Sequence, residues 1–219
     1  MKLSGAALGL LLLGLSVPAQ AGARVVWAVS DGEKISRDAL ASPLKTGNSA
    51  WDGTTIRLFG AGNEIVAFQV IVEADDQGVA SLTASLPDLT GSGGAIRYEP
   101  PASDPTAYLG RPIQLFSVHY LNVARETHAD WAWKPGSPAA PRDATGWKPV
   151  VLVPENARAG RGGFPLRVDA NRNQALWIEI YTGRDRPAGR YRGTVMVTAD
   201  GRKHPLPVEL QIFDFALPD

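Results

Sequence analysis

Three tryptophans in one polar stretch are the side chains of this sequence best suited to hold a ligand. Trp131, Trp133 and Trp147 fall within residues 124–148, a long segment without hydrophobic periodicity. An exposed indole offers a flat apolar surface to a sugar ring, and Trp131 and Trp133 share one side if the chain is extended. Hydrogen-bonding groups are available nearby on Arg125, Glu126, His128 and Asp130. The pattern predicts a contact surface for a glycan or another domain; the alternative is that the rings fasten the loop to the core.

Paired carboxyl groups, which glycoside hydrolysis needs about 5–10 Å apart, are harder to find. Asp75 and Asp76 are adjacent, so on a strand they would point to opposite faces. Glu126 with Asp130, and Asp185 with any neighbour, lie in predicted loops or turns, where acidic residues are usually solvated. We therefore assign no catalytic residue and expect the isolated chain not to hydrolyse glycosides.

Metal and cofactor sites are not indicated either. The three histidines lack the spacing of a zinc site. Asp169, Asn171 and Asn173 match the first three oxygen ligands of a calcium loop, but Gln174 stands where glycine is needed and Ile180 where glutamate is needed. These residues are better explained as a polar turn before a strand, and no metal or cofactor is predicted.

Composition excludes several classes of protein. The 219 residues carry 22 Lys and Arg against 22 Asp and Glu, so no broad basic field is available to attract nucleic acid. The chain contains no Cys, which excludes disulfides and thiolate chemistry. Its 23 Gly and 17 Pro exceed the average share and suit a turn-rich β protein.

The first 21 residues have the layout of a secretory signal peptide. Lys2 supplies the positive start, residues 6–17 form an apolar run, and residues 19–21 read Ala-Gln-Ala. A spanning helix needs about 20 apolar residues, so the run is too short to cross a membrane. We expect residues 1–21 to be removed and residues 22–219 to be exported to the periplasm or the medium, with no membrane span in the mature chain.

Alternating apolar residues predict strands throughout the mature chain. Both faces of residues 64–73 are apolar, which predicts a central strand covered on both sides. Three further strands are predicted near the C-terminus, at 174–183, 189–199 and 204–213. We read these three as an antiparallel meander, with Asp200-Gly201 as a hairpin turn. The predicted fold is all-β: one domain, residues 22–219, forming a two-sheet antiparallel β-sandwich with long loops.

Two consecutive motifs near the C-terminus resemble motifs of a known protein family. Residues 174–181 read QALWIEIY, and residues 185–195 read DRPAGRYRGTV. They resemble the motifs Q-x-x-W-hydrophobic-x-hydrophobic-Y and P-A-G-x-Y-x-G. These motifs belong to the N-terminal β-sandwich of glycoside hydrolase family 123-like proteins, including the related uncharacterised domain family 4091.

Other segments extend the resemblance over most of residues 24–218. Residues 62–70 are similar to the family's N-E-x-x-x-F-Q strand, and residues 112–123 to its next apolar strand. Residues 146–154 resemble its G-x-W-P-D-x-L-V-P segment, except that Val150 and Val151 replace the expected Asp after Pro149. Residues 213–218 resemble its F-x-L-P exit from the sandwich.

The resemblance implies a role that the residues alone do not show. In the family a (β/α)8 barrel follows the exit and carries the catalytic carboxylates, whereas this sequence ends at Asp219. The leading interpretation is a secreted, non-catalytic accessory sandwich that braces such a barrel and lines its glycan cleft. A stand-alone secreted carbohydrate-binding module is the alternative, and a complete small enzyme is the third possibility.

Overall fold

The protein folds into two β-sheets packed face to face. The computed structural model describes residues 22–126, 131, 133–134, 136–139 and 144–219. The all-β sandwich predicted from the sequence is confirmed. Among the described residues the one helical element is a 3₁₀ turn at Pro43–Lys45. No helix in these ranges is long and apolar enough to cross a membrane.

The first sheet has five strands in the order β1-β3-β10-β7-β8, all antiparallel to their neighbours. Their bounds are β1 Ala23–Ser30, β3 Ile65–Ala74, β7 Ile113–Val123, β8 Gly146–Pro154 and β10 Asn173–Tyr181. β3 lies between β1 and β10 and is buried along nearly all its length. Its predicted position as a covered inner strand is therefore confirmed.

The second sheet follows the order β2-β12-β11-β4-β9, and the short β5–β6 hairpin adds to it through β11. Its strands are β2 Ile56–Gly62, β4 Val79–Ser85, β5 Asp88–Gly91, β6 Gly94–Arg97, β9 Leu166–Val168, β11 Gly189–Ala199 and β12 Arg202–Ala216. β2 pairs with β12 in parallel, so the sandwich is not wholly antiparallel as predicted. A parallel pair is possible because β2 and β12 come from distant parts of the chain and no hairpin joins them.

The core lies between the sheets and uses the alternation visible in the sequence. Leu176, Ile178 and Ile180 of β10 and Val208 and Leu210 of β12 are all fully or almost fully buried. Their neighbours along each strand face outward, as the period of two requires. Packing of these faces stabilises the sandwich, since the chain has no disulfide.

The predicted meander is wrong in one respect. β11 and β12 do form a hairpin, and the positive φ angles of Asp200 (48°) and Gly201 (81°) suit its primed turn. β10, however, pairs with β3 and β7 in the first sheet, and the connector 182–188 carries the chain across to the second. Alternation indicates that one face of a strand is buried. It does not indicate which sheet the strand joins, because the strands of both sheets bury one face in the core.

The segment between β1 and β2 folds against one end of the first sheet. The Lys45 ammonium pairs with Glu73 of β3, and Arg24 of β1 lies 3.4 Å from the same carboxylate. Asn48 donates to the carbonyl of Ala28 at 2.8 Å. This segment therefore closes the end at which β10 begins, and it forms part of the site described next.

Candidate functional site

The aromatic segment predicted to hold a ligand is described only in part. His128 and Asp130 lie outside the described residues. Arg125 is exposed, Trp131 is 90% exposed and Trp133 is half-buried. A fully exposed indole is unusual for tryptophan, so Trp131 keeps the properties of a contact residue. That these residues form one ligand or domain contact stays a prediction.

Trp147 differs from Trp131 because it is part of the folded sandwich. It lies on β8 opposite Asn122 of β7 and packs against the hydrophobic core. The Arg37 guanidinium lies 4.7 Å from the centre of its ring, a cation–π contact, and also pairs with Asp169. Trp147 therefore fastens β8 to the segment that follows β1, which is the structural alternative raised for these tryptophans.

Replacing Trp147 with alanine should lower the free energy of unfolding by about 2 kcal/mol, below the usual range for buried tryptophan because this ring is only half-buried. Trp131→Ala is the matched control and should change it by less than about 0.5 kcal/mol, because its ring is exposed. Urea unfolding followed by circular dichroism measures both. Equal losses for the two variants would contradict this assignment.

A cleft of about 370 Å³ opens beside Trp147, and we call it the end cleft. It lies where the end of β7 and the start of β10 meet β9. Its chemically useful lining residues are Arg37, His119, Tyr120, Trp147, Asp169 and Asn173. Of these, only Trp147 was predicted to contact a ligand; Asp169 and Asn173 were assigned to a polar turn and His119 to no metal site. The six residues come from four separate segments, so no local pattern places them together.

Two polar side chains in the wall of the end cleft have atoms without a partner. Asn173 is 1% exposed and Tyr120 is 7% exposed. The Oδ1 atom of Asn173 and the hydroxyl of Tyr120 are enclosed and make no hydrogen bond. Burial raises the pKa of Tyr120, an effect opposed by the Ala175 amide and the Arg37 charge, so its hydroxyl stays protonated. Unpaired buried polar groups are uncommon and costly, which marks this wall as unusual.

Four of the residues considered for catalysis or calcium have structural partners: Asp75, Asp169, Asn171 and Asn173. Asp75 accepts hydrogen bonds from the amides of Gly22, Gln77 and Gly78, which makes it a turn residue. Asn171 has a φ of 52°, in line with the predicted polar turn, and its side chain accepts from Arg24. Within the described ranges no cluster of three or more His, Asp or Glu could hold a metal ion.

Residues of the family-like motifs hold the C-terminal end of the chain in place where it leaves the sandwich. Asn63, with a φ of 58°, lies in the turn between β2 and β3. Its side chain accepts from the Tyr181 hydroxyl at 2.9 Å and donates to the Leu217 carbonyl at 3.1 Å. The Leu217 amide also donates to the Gly62 carbonyl at 2.9 Å. The Glu64 carboxylate accepts from the Ala61 amide at 2.7 Å in the same turn, which is a structural role.

An exposed aromatic surface surrounds this exit. Phe59 and Phe215 are 68% and 60% exposed, and Phe213 lies between them with ring centres 5.9 and 6.1 Å away. We call Phe59, Phe213, Phe215 and Leu217 the exit surface. The sequence analysis did not predict this surface, although a signal was present. Phe59 follows Arg57 by two residues and Phe213 follows Glu209 by four, so each lies on the outward face of its strand, where apolar residues are unusual.

The chain is similar in structure to part of a glycoside hydrolase. A family 123 glycoside hydrolase from Clostridium perfringens, described for glycolipid glycan hydrolysis, aligns with a TM-score of 0.56 at 14% identity. The alignment covers 89% of this chain and 28% of that one. The chain shares the fold of part of a family 123 glycoside hydrolase.

Other similarities are weaker. The CooA pilin subunit of enterotoxigenic Escherichia coli matches with a TM-score of 0.32 at 12% identity, covering 88% of this chain and 99% of that one. The N-terminal domain of PorA reaches 0.26 at 6% identity, covering 88% and 100%. No protein-family model and no curated protein matches the sequence.

Proposed function

We propose that this protein is an exported, non-catalytic accessory sandwich of a glycoside hydrolase-like protein, of the kind found N-terminally in family 123 and in the related domain family 4091. Its function is to hold a catalytic domain through the exit surface and to line one side of the glycan cleft of that domain. The supporting observation is the exposed row of Phe59, Phe213 and Phe215 beside a chain end that Asn63 holds in place.

The exit surface has the features of a docking face. Exposed apolar patches with a polar rim mark interaction sites, and aromatic residues are enriched at their centres. The rim here includes Glu209, which contacts Arg57 at 3.0 Å and Arg192 at 3.0 Å on the same outer face. The hydrogen bond from Arg192 lowers the pKa of Glu209, so this rim stays ionised at neutral pH.

The tether at Leu217 supplies the second part of the argument. A following domain joined through a flexible linker would sample many orientations. Here Asn63 and Gly62 hold the chain to Leu217, and Arg184 pairs with Asp219 at 2.6 Å. A domain that continues from this point starts close to the exit surface. It would therefore lose little additional conformational entropy when it docks there.

The test uses the complete product of the source reading frame. We expect it to continue past Asp219 into alternating strands and helices. In that protein, Phe213→Ser with Phe215→Ser should weaken the domain contact by about 2 kcal/mol or more. In the isolated residues 22–219 the same change should alter the free energy of unfolding by less than about 1 kcal/mol, because both rings are exposed.

Urea unfolding of both proteins, with limited proteolysis at the junction, measures the difference. Lys203→Ala, an exposed change near the start of β12, is the control and should leave both proteins unchanged. A reading frame that stops at Asp219, or equal effects of the double variant on both proteins, would overturn the proposal.

A stand-alone carbohydrate-binding module is the second candidate, and the 90% exposed indole of Trp131 favours it. A flat exposed ring of this kind can stack on a sugar. If this function is correct, residues 22–219 alone should bind a glycan array, and Trp131→Ala should remove that binding without changing stability. Retention of glycan binding by Trp131→Ala would exclude this ring as the platform.

A further inference from the structure

The end cleft is separate from the exit surface. Asn173 and Tyr181 are the first and last residues of β10, so at about 3.3 Å per residue they lie about 26 Å apart. Asn173 lines the end cleft, and Tyr181 is tied to the exit through Asn63. A ligand in the end cleft would leave the exit surface free for a neighbouring domain.

We propose that the end cleft is a binding site for a neutral sugar, in which ligand hydroxyls pair with Asn173 and Tyr120 beside the Trp147 ring. The inference rests on carbohydrate binding, the ligand class of the second candidate function, but it places the sugar beside Trp147 and not on Trp131, so Trp131→Ala distinguishes the two. It does not depend on the docking role of the exit surface.

Asn173 presents an acceptor whose orientation is fixed. Its Nδ2 atom donates to the carbonyls of Ser36 and Ala39, both at 3.1 Å, and its backbone amide donates to the Arg37 carbonyl at 2.7 Å. Because two carbonyls can only accept, the side-chain amide cannot be reversed without losing both bonds. Its Oδ1 atom is therefore held as an unused acceptor at the wall of the cleft.

Tyr120 presents the second unused group, placed by an irregularity in the sheet. His119 pairs with Val151 of β8 but Tyr120 pairs with Pro149, so Val150 is an extra residue in β8. Such bulges redirect side chains and are frequent next to binding sites. A protonated phenol both donates and accepts, which is also true of a sugar hydroxyl.

Arg37 is the lining side chain best placed to move and admit a ligand to these two groups. Both oxygens are enclosed, so a ligand reaches them only when a neighbouring side chain moves. Arg37 has many rotatable bonds, is held on Trp147 and by one pair with the exposed Asp169, and is close enough for its charge to affect Tyr120. Moving it aside would uncover one face of the indole and leave a guanidinium available to donate to the ligand.

The chemistry of the cleft favours a sugar over other small ligands. The charge of Arg37 is offset by its pair with Asp169, and the second cation of the lining, Arg167, is exposed to solvent, which screens its attraction for an anion. An acceptor, a hydroxyl and a half-buried indole match the hydroxyl edge and C–H face of a pyranose. A volume of about 370 Å³ lies at the lower end of the range for small-molecule sites, which suits one or two sugar units.

Calorimetric titration of residues 22–219 with glucose, galactose, mannose and N-acetylglucosamine tests the proposal. We expect at least one of the four to bind, and Tyr120→Phe to weaken it about tenfold by removing one hydrogen bond. The same variant should lose little stability, because the Tyr120 hydroxyl makes no well-formed hydrogen bond to the protein and has only the Ala175 amide close to it.

Tyr98→Phe is the matched control. The Tyr98 hydroxyl donates to Glu155 at 3.0 Å and does not line the end cleft. This variant should therefore melt earlier than the parent and bind the sugar with unchanged affinity.

Three results would overturn the proposal. The first is an absence of binding by all four sugars at millimolar concentration. The second is binding that Tyr120→Phe leaves intact, including binding lost only with Trp131→Ala, which would place the sugar on the other tryptophan. The third is a Tyr120→Phe variant that melts earlier without a change in binding, which would show that an enclosed water, not a ligand, occupies the two unused groups.

Discussion

Replacing Gly193 with alanine should lower the free energy of unfolding by about 3 kcal/mol. Gly193 of β11 pairs with Leu89 of β5, and a Cβ atom there would lie 2.2 Å from the Asp88 carbonyl oxygen. A backbone oxygen cannot move aside as a flexible side chain can, so β5 would separate from β11. Gly193 is the last glycine of the P-A-G-x-Y-x-G motif. The close approach of β5 explains why this position of the motif requires glycine.

Urea unfolding of Gly193→Ala against the parent measures this effect. Gly32→Ala is the control, since its new Cβ would meet only the Ser30 hydroxyl at an ordinary 3.8 Å. We expect a clear drop in the urea midpoint for Gly193→Ala and little change for Gly32→Ala. Similar midpoints for the two variants would show that the β5–β11 contact adapts to a side chain.

Replacing Lys45 with methionine should also cost about 3 kcal/mol, because it leaves a buried carboxylate with too little charge compensation. Glu73 is 2% exposed and is paired with Lys45, which is itself largely covered. Its remaining partner, Arg24, is more exposed and lies 3.4 Å away. Desolvation of the Glu73 carboxylate would then be poorly offset.

A double variant separates this charge effect from lost packing. Lys45→Met with Glu73→Met removes both charges and should recover most of the lost stability, because replacing a buried ion pair by apolar side chains is often nearly neutral. Lys203→Met, at an exposed position, is the control for removing a lysine charge. Equal losses in the single and double variants would contradict the charge argument.

Residues of the family-like motifs make contacts that stabilise the fold. Tyr191 donates from its buried hydroxyl to the Pro187 carbonyl at 2.9 Å, which holds the connector between the sheets. Gln69 donates to the carbonyls of Ser30 and Glu33, which holds the chain beyond β1.

Local pattern and turn chemistry were enough to predict most of the strands. The alternation in residues 204–213 places Leu206, Val208 and Leu210 on one face, and this face is the buried one. Asp200-Gly201 predicts the β11–β12 hairpin because that turn needs positive φ at both positions, and both have it. Such features depend on neighbours within a few residues, so the sequence contains them directly.

Sheet membership and the two candidate surfaces depend on contacts between distant segments. Whether β10 pairs with β11 or with β3 is decided by which inner face it completes, and period-two alternation is the same in either case. The exit surface joins Phe59 to Phe213, and the end cleft joins Arg37 to Tyr120, Trp147 and Asn173. The sequence by itself therefore determined an all-β chain, its strands and its turns, because these follow from local geometry. Only the tertiary structure decided which strands share a sheet and which side chains meet, because long-range packing brings them together.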